Sequence, residues 1–285
     1  MSFLKRNIKL VSIIIQLIIR GELVKYKREV GFLIKHGLNT YPYDYIFKYN
    51  VSNEKIGRNS LGNTYVLHGG RQLFFPTSEK YSEELIKKTH LLSTTEQDIE
   101  SPHRYLDEDE NMEKYVFFDI GCQEASLPLE FVDKLKHLYL FEVDSEWNNP
   151  LERTYAEWAD KVTIINKYVG DNDSDNTIRL SSFISHLQQE NQLDLSCDKI
   201  FIKMDIEGAE ESVFADLLAI MKQAKNMKIA LCLYHKYNTE NRIREMVPDG
   251  YYMRTRDTYM LFQPLNNDCR YPFFRHGVAR VERIE

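Results

Sequence analysis

The chain has 285 residues, 43% hydrophobic and 28% charged, with only 12 Gly and 8 Pro. That balance suits a globular protein of one large domain, or one domain with an appended module, and excludes collagen-like and Pro/Gly-rich disordered classes. The net charge of −6 argues against a generic nucleic-acid binder, whose domain would be basic.

The charge is uneven. Residues 1–40 hold Lys5, Arg6, Lys9, Arg20, Lys25, Lys27, Arg28 and Lys35 against Glu22 and Glu29, so this segment is +6 and the rest of the chain −12. Residues 8–19 are rich in Ile, Leu and Val, yet Arg20-Gly21-Glu22 follows where a secretory signal would need a small-residue cleavage site. Lys5, Lys9, Ser12, Gln16 and Arg20 interrupt the run at spacings of 4, 3, 4 and 4. At about 100° per residue they share one narrow helical stripe, with the apolar residues filling the remainder. Residues 3–20 therefore read as a basic amphipathic helix. It either lies on an anionic membrane surface or docks on its own domain or on a second subunit of a homo-oligomer. A second helical pattern follows, with Leu23, Tyr26, Val30, Leu33 and Ile34 on one face.

Residues 63–76 carry two β-rich runs around Gly69-Gly70, a hairpin pattern. Residues 77–92 are moderately helical. Residues 96–113 are acidic and read as a linker or surface segment, with Ser101-Pro102-His103-Arg104-Tyr105 inside it. From residue 115 short apolar runs alternate with helical stretches: Tyr115–Phe118, His137–Phe141, Val162–Ile165, Lys199–Met204 and Met227–Leu233. This alternation predicts an α/β domain whose mostly parallel sheet is covered on both faces. The organisation expected is a basic helical segment at 1–40, a hairpin and helix module with linker at 41–111, the α/β domain at 112–265, and an uninformative tail at 266–285. Thr258–Phe262 is expected to be the last strand. The four cysteines, Cys122, Cys197, Cys232 and Cys269, lack Cys-x-x-Cys spacing and read as reduced thiols of a cytoplasmic protein.

In open α/β sheets ligands sit beyond the carboxyl ends of the strands. The first strand ends in Asp119-Ile120-Gly121-Cys122-Gln123-Glu124-Ala125, where Gly121 permits a tight turn beside a ligand. The second ends in Glu142, placed to accept hydrogen bonds from a ribose diol. A nicotinamide cofactor would prefer Gly-x-Gly-x-x-Gly. Gln123 in the second glycine position suits a nucleoside without pyrophosphate, which points to S-adenosylmethionine. A nicotinamide-dependent sugar oxidoreductase is thereby the weaker alternative.

The sharpest pattern is Lys203-Met204-Asp205-Ile206-Glu207-Gly208-Ala209-Glu210. With Asp119-Ile120-Gly121, Phe141-Glu142-Val143-Asp144 and Tyr234-His235, it resembles the FkbM-type family of S-adenosylmethionine-dependent methyltransferases over about residues 115–262. The departures are Ala125, where the family's loop often closes with Gly, and the charged Glu124; they keep open a degenerate, non-enzymatic binding protein on the same fold. The resemblance implies a Rossmann-like class I methyltransferase domain that O-methylates a sugar or glycan hydroxyl. It implies that Asp119, Gly121, Cys122, Glu142 and Asp171 hold the cofactor, and that Asp205 and Glu207 lie where acceptor meets methyl group. His235, with a pKa near neutrality, and Asp205 compete for the role of base. His103, Arg104 and Tyr234 are candidates for the acceptor side. Asp205, Glu207 and Glu210 also offer hard oxygen ligands for Mg²⁺, although Glu207 and Glu210 equally suit a helix N-terminus. A basic helix ahead of such a domain would fit an enzyme at the inner face of a membrane, acting on a lipid-linked glycan.

Overall fold

The computed structural model describes residues 3–262 and 271–284. Two helices open the chain, α1 (Phe3–Ile19) and α2 (Lys27–His36). A three-stranded antiparallel sheet follows, formed by β1 (Ile56–Arg58), β2 (Thr64–His68) and β3 (Arg71–Phe74), and then α3 (Glu83–Glu96). The expected hairpin is the β2–β3 pair, in register from Tyr65 with Phe74 to His68 with Arg71. Helix α3 starts where Ser82 caps it by accepting the Leu85 N–H at 3.2 Å, with Glu83 and Glu84 favourably placed in its first turn.

The α/β region continues with β4 (Tyr115–Ile120), α4 (Ser126–Leu129), β5 (His137–Phe141), α5 (Asn148–Thr154), β6 (Val162–Ile165), β7 (Tyr168–Val169), β8 (Thr177–Ile178) and α6 (Leu180–Gln189). It ends with β9 (Lys199–Met204), α7 (Glu210–Gln223), β10 (Asn226–Cys232), α8 (Thr239–Met246), β11 (Tyr251–Thr255), β12 (Met260–Leu261), β13 (Phe274–Arg275) and β14 (Val278–Arg283). Seven strands form one sheet in the order β11-β14-β10-β9-β4-β5-β6. The pairs from β10 to β6 are parallel, and β14 is antiparallel to both its neighbours. This is the doubly wound, Rossmann-like sheet expected of a class I methyltransferase, with β4 at the point where the strand order reverses.

Alternation along β4 explains why both faces must be covered. Val116, Phe118 and Ile120 enter one core with residues of α6, α7 and α8, including Ile184, Phe214, Leu217 and Ile243. Tyr115 and Phe117 enter the other, with Phe131, Leu151, Tyr155 and Phe201. Removing a fully buried Phe from either core costs about 3–5 kcal/mol. Hairpin β2–β3 closes over the second core, where Val66 and Leu73 pack and the Phe74 N–H donates to Thr154 Oγ1 at 3.0 Å.

Three expectations are corrected here. Residues 258–262 do not supply the last strand of the main sheet: Met260–Leu261 pair only with β13, in a separate two-stranded ribbon. The last strand is β14, inside the segment read as a tail. Its alternation is hidden by Arg280 and Glu282, which are buried because Arg280 pairs with Glu282 at 2.6 Å and reaches Glu110. The acidic stretch after α3 is likewise not a surface linker. Ser101, His103 and Tyr105 are buried, and Asp107 and Glu110 are neutralised by Arg254, Arg280 and Lys228.

Helix α1 docks Ile13 and Leu17 against α2, β12 and β13, with Leu33, Leu261, Phe273 and Phe274. No helix of the described residues is long and apolar enough to cross a membrane. Cys122, Cys197 and Cys232 are free thiols; Cys269 lies outside the described residues.

Candidate active site

The carboxyl ends of β4, β5 and β9 face a cavity of about 400 Å³, walled by Gly121, Gln123, Glu142, Trp147, Tyr168 and Asp205 among others. A smaller cavity of about 90 Å³ lies beside it, under α3, lined by Glu96, Asp119, Glu124, Lys203 and Asp205. Asp205 and the Gly121–Gln123 turn border both.

The turn after β4 could not be built with another residue at 121. Gly121 has φ +71°, and a Cβ there would lie 1.9 Å from the Asp205 carbonyl oxygen. Gln123 and Ala125 also sit in the left-handed region, at φ 45° and 53°, a conformation that costs a non-glycine residue about 1–2 kcal/mol. Hydrogen bonds hold them there. The Gln123 N–H donates to Glu142 Oε2 at 2.9 Å, the Ala125 N–H to the Cys122 carbonyl at 2.7 Å, and Tyr155 Oη to the Ala125 carbonyl at 2.5 Å.

Glu142 is fixed from both sides. Its second oxygen accepts the Asp144 N–H at 2.8 Å. Each carboxylate oxygen has two lone pairs, so one on each oxygen remains for a ligand. Trp147 and Tyr168 supply apolar walls to the same cavity. Asp171 is exposed and does not line the cavity. After Val169 the chain turns away, because the Gly170 N–H bonds to Ile178 beside the β7–β8 pair, so Lys167, Tyr168 and Val169 are this segment's contribution. Cys122 is buried and borders only the smaller cavity; its N–H is spent on the Phe141 carbonyl.

Asp119 and Lys203 are register partners on β4 and β9. Their side chains meet at 2.8 Å in the interior. Lys203 Nζ also donates to the Gly121 carbonyl at 2.9 Å, so this one ammonium braces the turn. Burial pushes the Asp119 carboxyl up while Lys203 pulls it down. The Lys203 ammonium is held charged by Asp119 and Asp205 against its own desolvation.

Asp205 is the centre of a second arrangement. Its Oδ2 accepts from Tyr105 Oη at 2.9 Å, and Tyr234 Oη stands 3.5 Å from Oδ1. Two imidazoles flank it, His103 Nε2 at 3.9 Å and His235 Nε2 at 3.5 Å. Burial acts to raise the Asp205 carboxyl, but Lys203, His103 and His235 outweigh it and hold it below the usual range. His103 also lies 3.1 Å from Tyr234 Oη. Arg104, expected on the acceptor side, instead donates to the Leu106 carbonyl at 2.7 Å and the Gln97 carbonyl at 2.5 Å. It closes the turn that presents His103 and Tyr105.

His235 is enclosed by carboxylates. Nδ1 lies 2.7 Å from Glu210 Oε1, and Nε2 lies 3.7 Å from the exposed Glu207. Desolvation opposes charging of the ring, but Glu210, Asp205 and Glu207 together raise its pKa above the ordinary value near 6.5. The carboxylates therefore favour the protonated, donating form of the ring. The three carboxylates that also offered ligands for Mg²⁺ instead converge on the His235 ring. Donor atoms of Asp205, Glu210 and His235 do lie within 4.8 Å of one another, but Glu210 is already committed to His235 and to the Ile206 N–H at 3.2 Å.

Lys203 and Glu96 were not singled out from sequence for these positions, and Glu210 was read only as a metal ligand or a helix N-terminal acid. Lys203 and Glu210 stand inside the Lys203–Glu210 block, which was the available signal. Tyr105, in the quoted Ser101–Tyr105 segment, is brought to Asp205 from 100 residues away by the fold, and nothing local marks Glu96.

No protein-family model matches the chain, and no curated protein matches it. Among solved structures it is similar to the methyltransferase FkbM from Methylobacillus flagellatus KT, at 18% identity and a TM-score of 0.44, covering 72% of this chain and 55% of that one. It is also similar to magnesium protoporphyrin IX methyltransferase from Synechocystis PCC 6803 with bound SAH, at 13% identity and a TM-score of 0.42, covering 72% and 89%. A third is precorrin-6y C5,15-methyltransferase from Geobacter metallireducens GS-15, at 14% identity and a TM-score of 0.37, covering 74% and 94%. The chain thus spans about half the length of the FkbM structure.

Proposed function

We propose that this protein transfers a methyl group from S-adenosylmethionine to a hydroxyl of a sugar or glycan. The observation that carries the reading is the place of Asp205: one carboxylate borders both the larger cavity, with Glu142 in its wall, and the smaller acidic one.

The residues present fit this cofactor. Glu142 is pre-oriented by two backbone N–H groups and keeps free lone pairs for the two hydroxyls of a ribose. Tyr168 and Trp147 offer apolar surface for an adenine ring. The smaller cavity holds Glu96, Asp119, Glu124 and Asp205 against a single Lys203. An acidic cavity of this kind suits the ammonium and sulfonium charges of the methionine end. When bound, S-adenosylmethionine supplies an activated methyl group, so the protein has only to align an oxygen and remove a proton. Asp205 accepts that proton. Tyr105 holds the carboxylate in place by a hydrogen bond, with His235 Nε2 3.5 Å from its other oxygen. His103, which is buried, and Tyr234 pair with each other beside Asp205 and line neither cavity. The hydroxyl-rich acceptor rests on the resemblance of the Lys203–Glu210 block.

The test is transfer of labelled methyl to a panel of free and lipid-linked sugars. Asp205→Asn is expected to lower turnover by about 10²-fold or more, the range for a positioned base, while cofactor binding persists. Transfer that is undiminished in Asp205→Asn would overturn the assignment of the base. Absence of transfer to any hydroxyl acceptor by a protein that binds the cofactor would overturn the acceptor class.

A further inference from the structure

Helix α1 has three faces, not two. At about 100° per residue each takes roughly a third of the circumference. One face, with Ile13 and Leu17 at its centre, is buried on α2 and the β12–β13 ribbon. The second is the polar stripe of Lys9, Ser12, Gln16 and Arg20. The third is apolar and uncovered: Ile8 is 62% exposed, Val11 55%, Ile15 50%, Ile18 56% and Ile19 77%. Spacings of 3, 4 and 3 along Ile8, Val11, Ile15 and Ile18 keep them on one line of the helix. Five neighbouring aliphatic side chains in water are an unsatisfied surface, since each buried methylene is worth about 0.8 kcal/mol.

The charge of the segment that carries this face decides what covers it. Arg20, Lys25, Lys27 and Lys35 are exposed on the same two-helix segment. The two acids of residues 1–40 are turned inward: Glu29 is buried and accepts from Tyr43 Oη at 2.6 Å, and Glu22 accepts from Tyr271 Oη at 2.7 Å. The exposed formal charges contributed by residues 9–40 are therefore all cationic. A symmetric pairing of two copies through this face would bring both cationic segments together. An anionic lipid surface satisfies both needs, taking the aliphatic stripe into its acyl boundary and the neighbouring Lys and Arg at its headgroups. We infer that α1 is a monotopic membrane anchor: its outer face lies in the surface of an anionic bilayer while its inner face stays docked on the protein. Apolar insertion and basic attraction are two weak signals, which together give stable but reversible attachment.

The test is cosedimentation of the full chain with phosphatidylcholine vesicles, with and without phosphatidylglycerol. Wild-type protein is expected to pellet with the anionic vesicles, less so as salt rises. Ile15→Asp/Ile18→Asp is expected to lower the partition coefficient at least about tenfold. Lys25→Ala and Lys27→Ala are each expected to lower it about fivefold. All four side chains are exposed, so unchanged circular dichroism and unfolding midpoints are expected in the variants. Wild-type protein left in the supernatant, or Ile15→Asp/Ile18→Asp pelleting equally well, would overturn the inference. So would a dimer in sedimentation equilibrium that this variant dissociates, without any vesicle binding, because the face would then belong to a second copy.

Discussion

Lys203 reaches across from β9 to its register neighbour Asp119 on β4, and the two charges meet at 2.8 Å in the interior of the sheet. The same ammonium takes the Gly121 carbonyl. One side chain thus ties together the two central strands and the turn that borders both cavities. The pair is a structural support for the site as much as a part of it.

That dependence is measurable. Lys203→Met leaves the Asp119 carboxylate buried and unpaired, and breaking such a pair costs about 3–5 kcal/mol. The double variant Asp119→Asn/Lys203→Met, which removes both charges, is expected to recover a large part of the loss. Urea unfolding of wild type, both single variants and the double variant gives the coupling. Equal losses in Lys203→Met and the double variant would show that the ammonium acts through the Gly121 carbonyl alone.

The pH dependence of His235 has a definite sign. Glu210, Asp205 and Glu207 raise its folded pKa above the unfolded value near 6.5. A raised imidazole pKa contributes stability that is fully present below the unfolded value and is lost as pH rises through the folded one. The difference in unfolding free energy between wild type and His235→Gln is therefore expected to be largest in mild acid and to shrink on the alkaline side. Denaturant titrations across neutral and alkaline pH, with NMR titration of the ring, check this. A ring that titrates below 6.5 would restore His235 as the candidate base.

Glu124 is buried, and burial pushes its carboxyl up. A cationic ligand in the smaller cavity would favour its ionised form. S-adenosylmethionine affinity is accordingly expected to weaken as pH falls through the raised Glu124 pKa. Glu124→Gln is expected to bind about tenfold or more weakly, the value of a hydrogen bond to a charged group, and to lose most of that pH dependence. Unchanged affinity in the variant would place the cation elsewhere.

The parts of this site legible in the sequence are those encoded locally. Asp119, Glu142 and Asp205 each follow a short run of apolar residues, and a parallel sheet brings such strand ends to one edge. Gly121 could be read because its conformation excludes side chains. What escaped depends on pairing across long distances in sequence. Strand β14 reads as polar until Asp107 and Glu110 are seen to neutralise Arg280. The stretch around His103 and Tyr105 reads as an acidic linker until those same contacts bury it. Asp171 was placed at the cofactor by the family resemblance, but β7 pairs with β8 and carries it away from the cavity. For α1 the periodicity gave the polar stripe correctly, yet could not divide the apolar arc into a docked half and an exposed half, because that division is made by β12 and β13, some 250 residues away.

The most direct measurement is a calorimetric titration of the purified protein with S-adenosylmethionine and S-adenosylhomocysteine, beside Glu142→Ala. Micromolar binding of both ligands is expected, weakened about tenfold or more in the variant through loss of the ribose contacts. No binding of either ligand, with or without sugar acceptors present, or equal binding by Glu142→Ala, would contradict the cofactor site described at the ends of β4 and β5.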